Sequence, residues 1–186
     1  MVLPHLICLM FISIGAMFVQ FIAFWIILFT GKFPKGMFDF LLKFNRWNFR
    51  LQARMMHMSD GYPAFGLDAT DNNTVLEVPY PESSSRGLVL LRAFFGIIYV
   101  ILPHMICLLF LQIGAMFVQL FAWFAVLFTG KYPKGMHDYM NGVIRWNTRV
   151  GLYMSNMTDT YPPFSMGETD PIDWNSTKGV EDHLVG

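Results

Sequence analysis

The seven residues Ile14-Gly15-Ala16-Met17-Phe18-Val19-Gln20 return unchanged as Ile113-Gly114-Ala115-Met116-Phe117-Val118-Gln119, 99 positions later. The same offset carries Leu3-Pro4-His5 onto Leu102-Pro103-His104, and Leu28-Phe29-Thr30-Gly31-Lys32 onto Leu127-Phe128-Thr129-Gly130-Lys131. It also carries Pro34-Lys35-Gly36-Met37 onto Pro133-Lys134-Gly135-Met136, and Arg46-Trp47-Asn48 onto Arg145-Trp146-Asn147. More than half of the aligned positions are identical without a gap. Self-similarity at a fixed spacing is the mark of a duplicated structural unit. The chain is two copies of one module.

Each heptapeptide sits inside an apolar block, residues 1–29 and 88–128. Both blocks exceed the roughly 20 residues that cross a bilayer core. Charged residues make up 14% of the 186-residue chain, against about a quarter in soluble domains. Buried soluble helices of this length need apolar neighbours on all sides, which the remaining sequence does not supply. The first block lacks a basic start and a small-residue cleavage site, and its mid-chain duplicate cannot be a signal peptide. The fold class predicted is all-α integral membrane: two tandem units, each a transmembrane helix or helical hairpin followed by an amphipathic interfacial helix. The units are residues 1–65 and 87–164, joined by a polar linker, 66–86, and followed by an acidic tail, 165–186.

The amphipathic segment follows a Gly/Pro break. Gly31 and Gly130 stand where helices take a left-handed C-cap, and Pro34 and Pro133 stand where a new helix starts. Asp39 and Asp138 are then predicted in a first helical turn, facing the positive dipole end. Phe40, Phe44, Trp47, Leu51 and Met55 recur every three or four residues, with Lys43, Arg46, Arg50, Arg54 and His57 about 100° round the helix. Such a helix lies at a membrane surface with its basic side in the headgroups; equally, its apolar face packs on neighbouring membrane helices. Lys32, Lys35, Arg46, Trp47, Arg50, Lys131, Lys134, Arg145, Trp146 and Arg149 are the candidate contacts to lipid headgroups or a partner. Basic residues flanking spans mark the cytoplasmic side, which argues against nucleic acid as a partner.

If both basic segments face the cytoplasm, the chain between them crosses an even number of times. Residues 88–128 then form a helical hairpin turning near Phe110–Gly114. The competing reading is one long span from about Pro103, preceded by a surface helix, with the basic segments on opposite faces. The counterpart of 87–99 in the first copy falls before Met1. Either the first unit lacks its leading helix, giving three spans, or the native reading frame starts earlier, giving four.

The residues Leu127-Phe128-Thr129-Gly130-Lys131-Tyr132-Pro133, Arg145-Trp146, Arg149 and Asp159-Thr160-Tyr161-Pro162-Pro163-Phe164, with upstream Arg92 and Leu102-Pro103-His104, resemble the bacterial membrane family called domain of unknown function 4389. The first copy departs from it at Gly61 and Ala64. The resemblance covers nearly all the chain except the tail. It implies a bacterial cytoplasmic-membrane protein, often with tandem units, and implies no activity.

His5 and His104, each after a proline, and Gln20 and Gln119 are the polar residues within the apolar blocks. Ionisable groups in spans default to functional hypotheses, here a metal or haem ligand or a proton relay. The plainer reading is that each imidazole satisfies polar groups near the proline, which frees a carbonyl one turn back. The glutamines fit interhelical hydrogen bonding. Gly15-Ala16 and Gly114-Ala115 permit close helix approach. Cys8 and Cys107 form no metal motif. No carboxylate pair, nucleophile and base, or metal-ligand spacing is present, so no catalytic residue, metal or cofactor is expected. The function read from these features is a non-catalytic accessory or scaffold subunit of a larger membrane complex. Its partners are membrane lipids and other membrane subunits, or its own copies, in the bacterial inner membrane. The alternative is a lipid-handling or small-solute transport protein with a site at the repeat interface.

Overall fold

The computed structural model describes residues 2–56, 58, 62–70 and 76–167. Expectations for His57, Asp60, Gly61 and residues 168–186 of the tail lie outside the described residues. Five α-helices follow in order: α1 (Leu3–Thr30), α2 (Lys35–Met55), α3 (Arg86–Gly96), α4 (Leu102–Thr129) and α5 (Lys134–Met154). The described residues form no β-strand. α1 and α4 are the two copies of the apolar segment and α2 and α5 the two copies of the amphipathic one.

Both apolar helices end on a left-handed glycine, Gly31 (φ 73°) and Gly130 (φ 68°), whose N–H groups bond back to Ile27 and Val126. The next helices open after Pro34 and Pro133. Asp39 and Asp138 therefore fall beyond the first turn, not within it as predicted, because α2 and α5 begin at Lys35 and Lys134.

The predicted hairpin within 88–128 does not form. A single continuous 44-residue helix runs from Arg86 to Thr129, with α3 and α4 joined by one π-helical turn, Ile97–Ile101. At 1.5 Å per residue it is about 66 Å long. Residues 110–114 contain no proline or asparagine–glycine to make a turn, and a turn there would leave backbone groups unpaired among apolar side chains. The one disruptive residue, Pro103, is absorbed by the π turn just before it. Ser84 N–H bonds to Gly31 O at 2.9 Å, which places the end of α1 at the start of α3. The two basic turns, 31–34 and 130–133, thus stand at opposite ends of the long helix, as in the competing reading, but the surface helix which that reading put before Pro103 is instead continuous with the span.

α2 does not lie crosswise at the end of α1. The indole of Trp47 bonds to His5, near the start of α1, at 2.9 Å. His5 and Thr30 are separated by about 38 Å of helix, so α2 must run back along α1 from the turn. Trp146 and His104 impose the same course on α5. The apolar face of α2 packs on the membrane-type helices, with Trp47 and Leu51 buried against Leu9.

Along α1 the buried positions are His5, Leu9, Ala16, Ala23 and Ile27, and along α4 they are His104, Leu108, Ala115 and Ala122. These single stripes, with small residues at their centres, let α2, α3 and α5 approach. The rest of each helix is an exposed apolar surface. Only 17% and 22% of the most apolar windows of α1 and the Arg86–Thr129 helix are buried. A core helix of a soluble protein is mostly buried, so both helices are long, apolar and outward-facing enough to cross a membrane.

Candidate functional site

Each repeat builds the same cluster. In the second, Trp146 Nε1 donates to His104 Nδ1 at 2.9 Å, Phe164 stacks on the imidazole with centroids 4.0 Å apart, and Tyr161 tilts against it at 5.5 Å. In the first, Trp47 Nε1 donates to His5 Nδ1 at 2.9 Å, with Tyr62 and Phe65 each 4.9 Å from the ring. Both histidines are completely buried. An indole N–H can only donate, so Nδ1 accepts and the neutral ring carries its hydrogen on Nε2. A ring that ligates through Nε2 needs the opposite tautomer. The bond to tryptophan supports the reading of these histidines as partners of local polar groups. Among the described residues no group of three or more His, Cys, Asp or Glu is placed to hold a metal ion.

The carbonyl of Tyr99 lies one turn before Pro103, within the π turn. Its partner is the Tyr161 hydroxyl, at 3.0 Å, and not the neighbouring imidazole. Tyr161→Phe is expected to cost about 1 kcal/mol, read as a lowered unfolding midpoint in detergent; an unchanged midpoint would show that the carbonyl is satisfied otherwise.

Lys43, Arg46 and Arg50 of the basic stripe, and Arg149 in the second copy, are engaged within the chain. Arg50, 3% exposed, reaches Gly66 O at 2.8 Å and also Ala69 O. Arg149, 2% exposed, reaches Ser165 O at 2.8 Å and also Gly167 O. Each guanidinium ties down the aromatic loop that covers its histidine. Arg46 pairs with Glu77 at 2.8 Å and with Leu76 O, and Lys43 pairs with Asp68. Asp68 and Glu77 of the acidic linker thus lie over the first copy's stripe. Trp47, Arg50, Trp146 and Arg149, placed at a headgroup or partner surface by the sequence reading, are interior; Arg46 and Arg145 are half-buried. Lys32, Lys35, Lys131 and Lys134 are exposed at the two turns.

A further network was not foreseen. Arg92, 3% exposed in the apolar run of α3, lies 3.9 Å from the centroid of the Tyr153 ring. It donates to Asn156 Oδ1 at 2.9 Å and to Asp159 Oδ1 at 2.7 Å. The other carboxylate oxygen of Asp159 accepts from Ser85 N–H at 2.7 Å, so one side chain holds both the arginine and the residue that caps α3. Asn156 adopts φ 59°, a left-handed conformation that asparagine tolerates better than most side chains. The available signal was a lone arginine between leucine and phenylalanine pairs.

Tyr132 lies within the second basic turn. It is 2% exposed, and its hydroxyl has no hydrogen-bond partner among the described residues. Burial raises its pKa to about 12. The unfolded phenol ionises near pH 10, so the native state is unaffected below that and loses stability as pH rises from about 10 to about 12. Tyr132→Phe is expected to flatten this part of the stability profile, measured by unfolding across that range; an unaltered slope would exclude Tyr132 as its source.

The two midspan glutamines mark the contact between repeats. Gln20 Nε2 donates to the carbonyl of Ser155, the C-cap of α5, at 2.7 Å. Gln119 lines a groove with Met56, the C-cap of α2, and Met56 is the counterpart of Ser155 at the 99-residue offset. The midspan glutamine of each repeat stands at the amphipathic-helix end of the other. Gln20 lines a larger groove of about 790 Å³ and Gln119 one of about 580 Å³. All nine residues lining the smaller groove have counterparts 99 positions away in the larger one, among them Ala115 and Ala16, Trp123 and Phe24, and Met140 and Leu41. The larger groove has an additional wall, Val89, Arg92 and Ala93 of α3 with Ile97 of the π turn.

No curated protein and no solved structure matches the chain. The profile of one family matches both repeats, over residues 1–66 and 89–166. These two segments contain the His–Trp pairs, the tethering Arg50 and Arg149, and the aromatic residues packed on the histidines of both clusters. The chain belongs to the family described as domain of unknown function DUF4389.

Proposed function

We propose that this protein is a non-catalytic, multi-pass subunit of the bacterial cytoplasmic membrane, which supports a larger membrane complex by packing its apolar helix faces against other subunits or its own copies. One observation carries the reading. His5, Trp47 and Arg50 in the first repeat and His104, Trp146 and Arg149 in the second are turned inward to hold helices and loops together, while α1 and α4 present apolar faces along their whole length. A contiguous exposed apolar surface of this extent marks an interaction surface, with lipid or with protein. Exposed Lys32, Lys35, Lys131 and Lys134 suit anionic headgroups at about 1 kcal/mol each. Size determination after gentle detergent extraction tests the proposal: a stoichiometric assembly is expected, and a strictly monomeric chain rejects it.

A second reading, lipid handling at the repeat interface, is favoured by the pair of related grooves. Duplicated membrane proteins place binding sites between their repeats, and Gln20 and Gln119 line these grooves. His104 does not. Replacing both glutamines with leucine abolishes lipid transfer between vesicles if this reading holds; unchanged transfer removes it.

A further inference from the structure

Residues 155–157, at the end of α5, meet polar side chains of α1, α2 and α3 in the groove of about 790 Å³. Arg92 and Gln20 fix this stretch, through Asn156 Oδ1 and the Ser155 carbonyl. Asn45 Nδ2 donates to Leu41 O and to Met157 Sδ. Two groups of groove-lining residues are then left over: Asn156 Nδ2, a donor, and Asn45 Oδ1, an acceptor, neither with a partner among the described residues. Asn156 is 5% exposed. Gln20 Oε1 and Arg92 Nε, sealed from water, have no described partner either. Buried polar groups are nearly always paired, so this end of the groove holds more hydrogen-bonding capacity than the chain itself uses. We propose that the larger groove binds a neutral acylglycerol, whose hydroxyl accepts from Asn156 and donates to Asn45. The proposal rests on the lipid-handling reading above and gives its larger groove a ligand class.

Charge, depth and wall chemistry select that class. Arg92 is the one charged residue among the described lining residues, and Asp159 balances it at 2.7 Å. Gln20 stands about 15 Å of helix from Thr30, half of a bilayer core about 30 Å thick. A phosphate or carboxylate carried to that depth would be an unpaired charge in apolar surroundings, which is costly. A hydroxyl both donates and accepts, whereas an ether oxygen only accepts. The remaining walls, among them Met17, Phe21, Phe44 and Ile97, suit an acyl chain, and Met17 and Phe21 are 72% and 62% exposed at the rim. The volume lies within the roughly 300–1,000 Å³ of small-molecule pockets. The site is peculiar to this groove: the counterpart of Asn45 is Ile144, a buried apolar residue that does not line the smaller one.

The probe is a monoacylglycerol with a diazirine in its acyl chain, photolysed with the full chain in phosphatidylcholine nanodiscs and located by mass spectrometry of the peptides. Labelling of Met17, Phe21 and Ile97 is expected. Monooleoylglycerol should displace the probe about tenfold better than its dimethyl ether, which cannot donate. Phosphatidylglycerol, which adds a phosphate, should do no better than the ether. Asn45→Ile, the residue of the second repeat, should erase the preference for the hydroxyl and leave displacement by the ether unchanged, a pattern that general unfolding does not produce. Ala93→Phe, at an exposed position of α3 on the groove wall, should abolish labelling there. Equal displacement by alcohol and ether would mean that any lipid chain fills the groove, and would overturn the proposal. So would equal displacement by phosphatidylglycerol. An unlabelled groove in the wild type would also overturn it, because a peptide segment or water then holds the site. Vesicle transfer separates this result from the reading beneath it. Transfer without a hydroxyl preference removes the acylglycerol and keeps lipid handling, whereas a preference without transfer keeps the site and removes the handling.

Discussion

Asp159→Asn is expected to destabilise the protein by about 3 kcal/mol, the cost of stranding one member of a buried ion pair. Arg92 is 2% exposed at its side chain and Asp159 29%, so the arginine cannot recover its lost partner from water. The change also weakens the acceptor for Ser85 N–H, loosening the entry to α3. The loss should be specific to the pairing. Arg92→Leu combined with Asp159→Asn should recover most of it, because an apolar side chain in place of a buried pair is often neutral or stabilising. The measurement is unfolding in mixed detergent micelles for the wild type, both single variants and the double variant. A single-variant effect under about 0.5 kcal/mol, the size of ordinary surface substitutions, would show that the guanidinium is adequately held by Asn156 and Tyr153 alone.

Trp146→Ala is expected to be larger, about 4 kcal/mol, within the range for removing a buried large aromatic side chain. The indole is 6% exposed, and Phe164 stands 5.8 Å from it. Its removal opens a cavity, leaves His104 Nδ1 without a donor and withdraws support from the loop that Arg149 holds. Trp146→Phe separates these contributions: it keeps most of the ring volume and loses only the hydrogen bond, for a cost of about 1–3 kcal/mol. Pairing Trp146→Phe with His104→Leu should return part of that, since no buried acceptor then remains. Equal effects of the Phe and Ala variants would mean that the hydrogen bond, and not packing, dominates the cluster. The same series at Trp47 and His5 gives an internal check, because the geometry there repeats at 2.9 Å.

Both clusters were visible in the sequence as parts and not as a unit. His104, Trp146 and Phe164 were each noticed for separate reasons: an ionisable group in an apolar run, a headgroup anchor, and an aromatic turn. Period-3.6 reasoning places Trp146 and Arg149 on a helix face but is silent on what that face meets. An interfacial helix and a helix packed on a span have the same pattern of apolar and basic residues. The linker's acids were legible as an acidic segment, whereas their pairing with Lys43 and Arg46 depends on where the chain returns after α2. Arg92 was the least visible, since its three partners lie more than 60 residues away in sequence.

The duplication, the helical class, the two long apolar segments and the glycine and proline breaks between helices were determined by the sequence itself. They depend on local chemistry: repeated letters, hydropathy over a window, and the backbone freedom of Gly31 and Gly130. The tertiary structure alone decided that 86–129 is one helix, that α2 and α5 run back along α1 and α4, and that Trp47, Trp146, Arg50 and Arg149 point inward. The physical reason is that a buried polar group must find its partner wherever the fold brings one. For His5, His104, Arg50, Arg92 and Arg149, those partners come from residues a helical turn cannot reach.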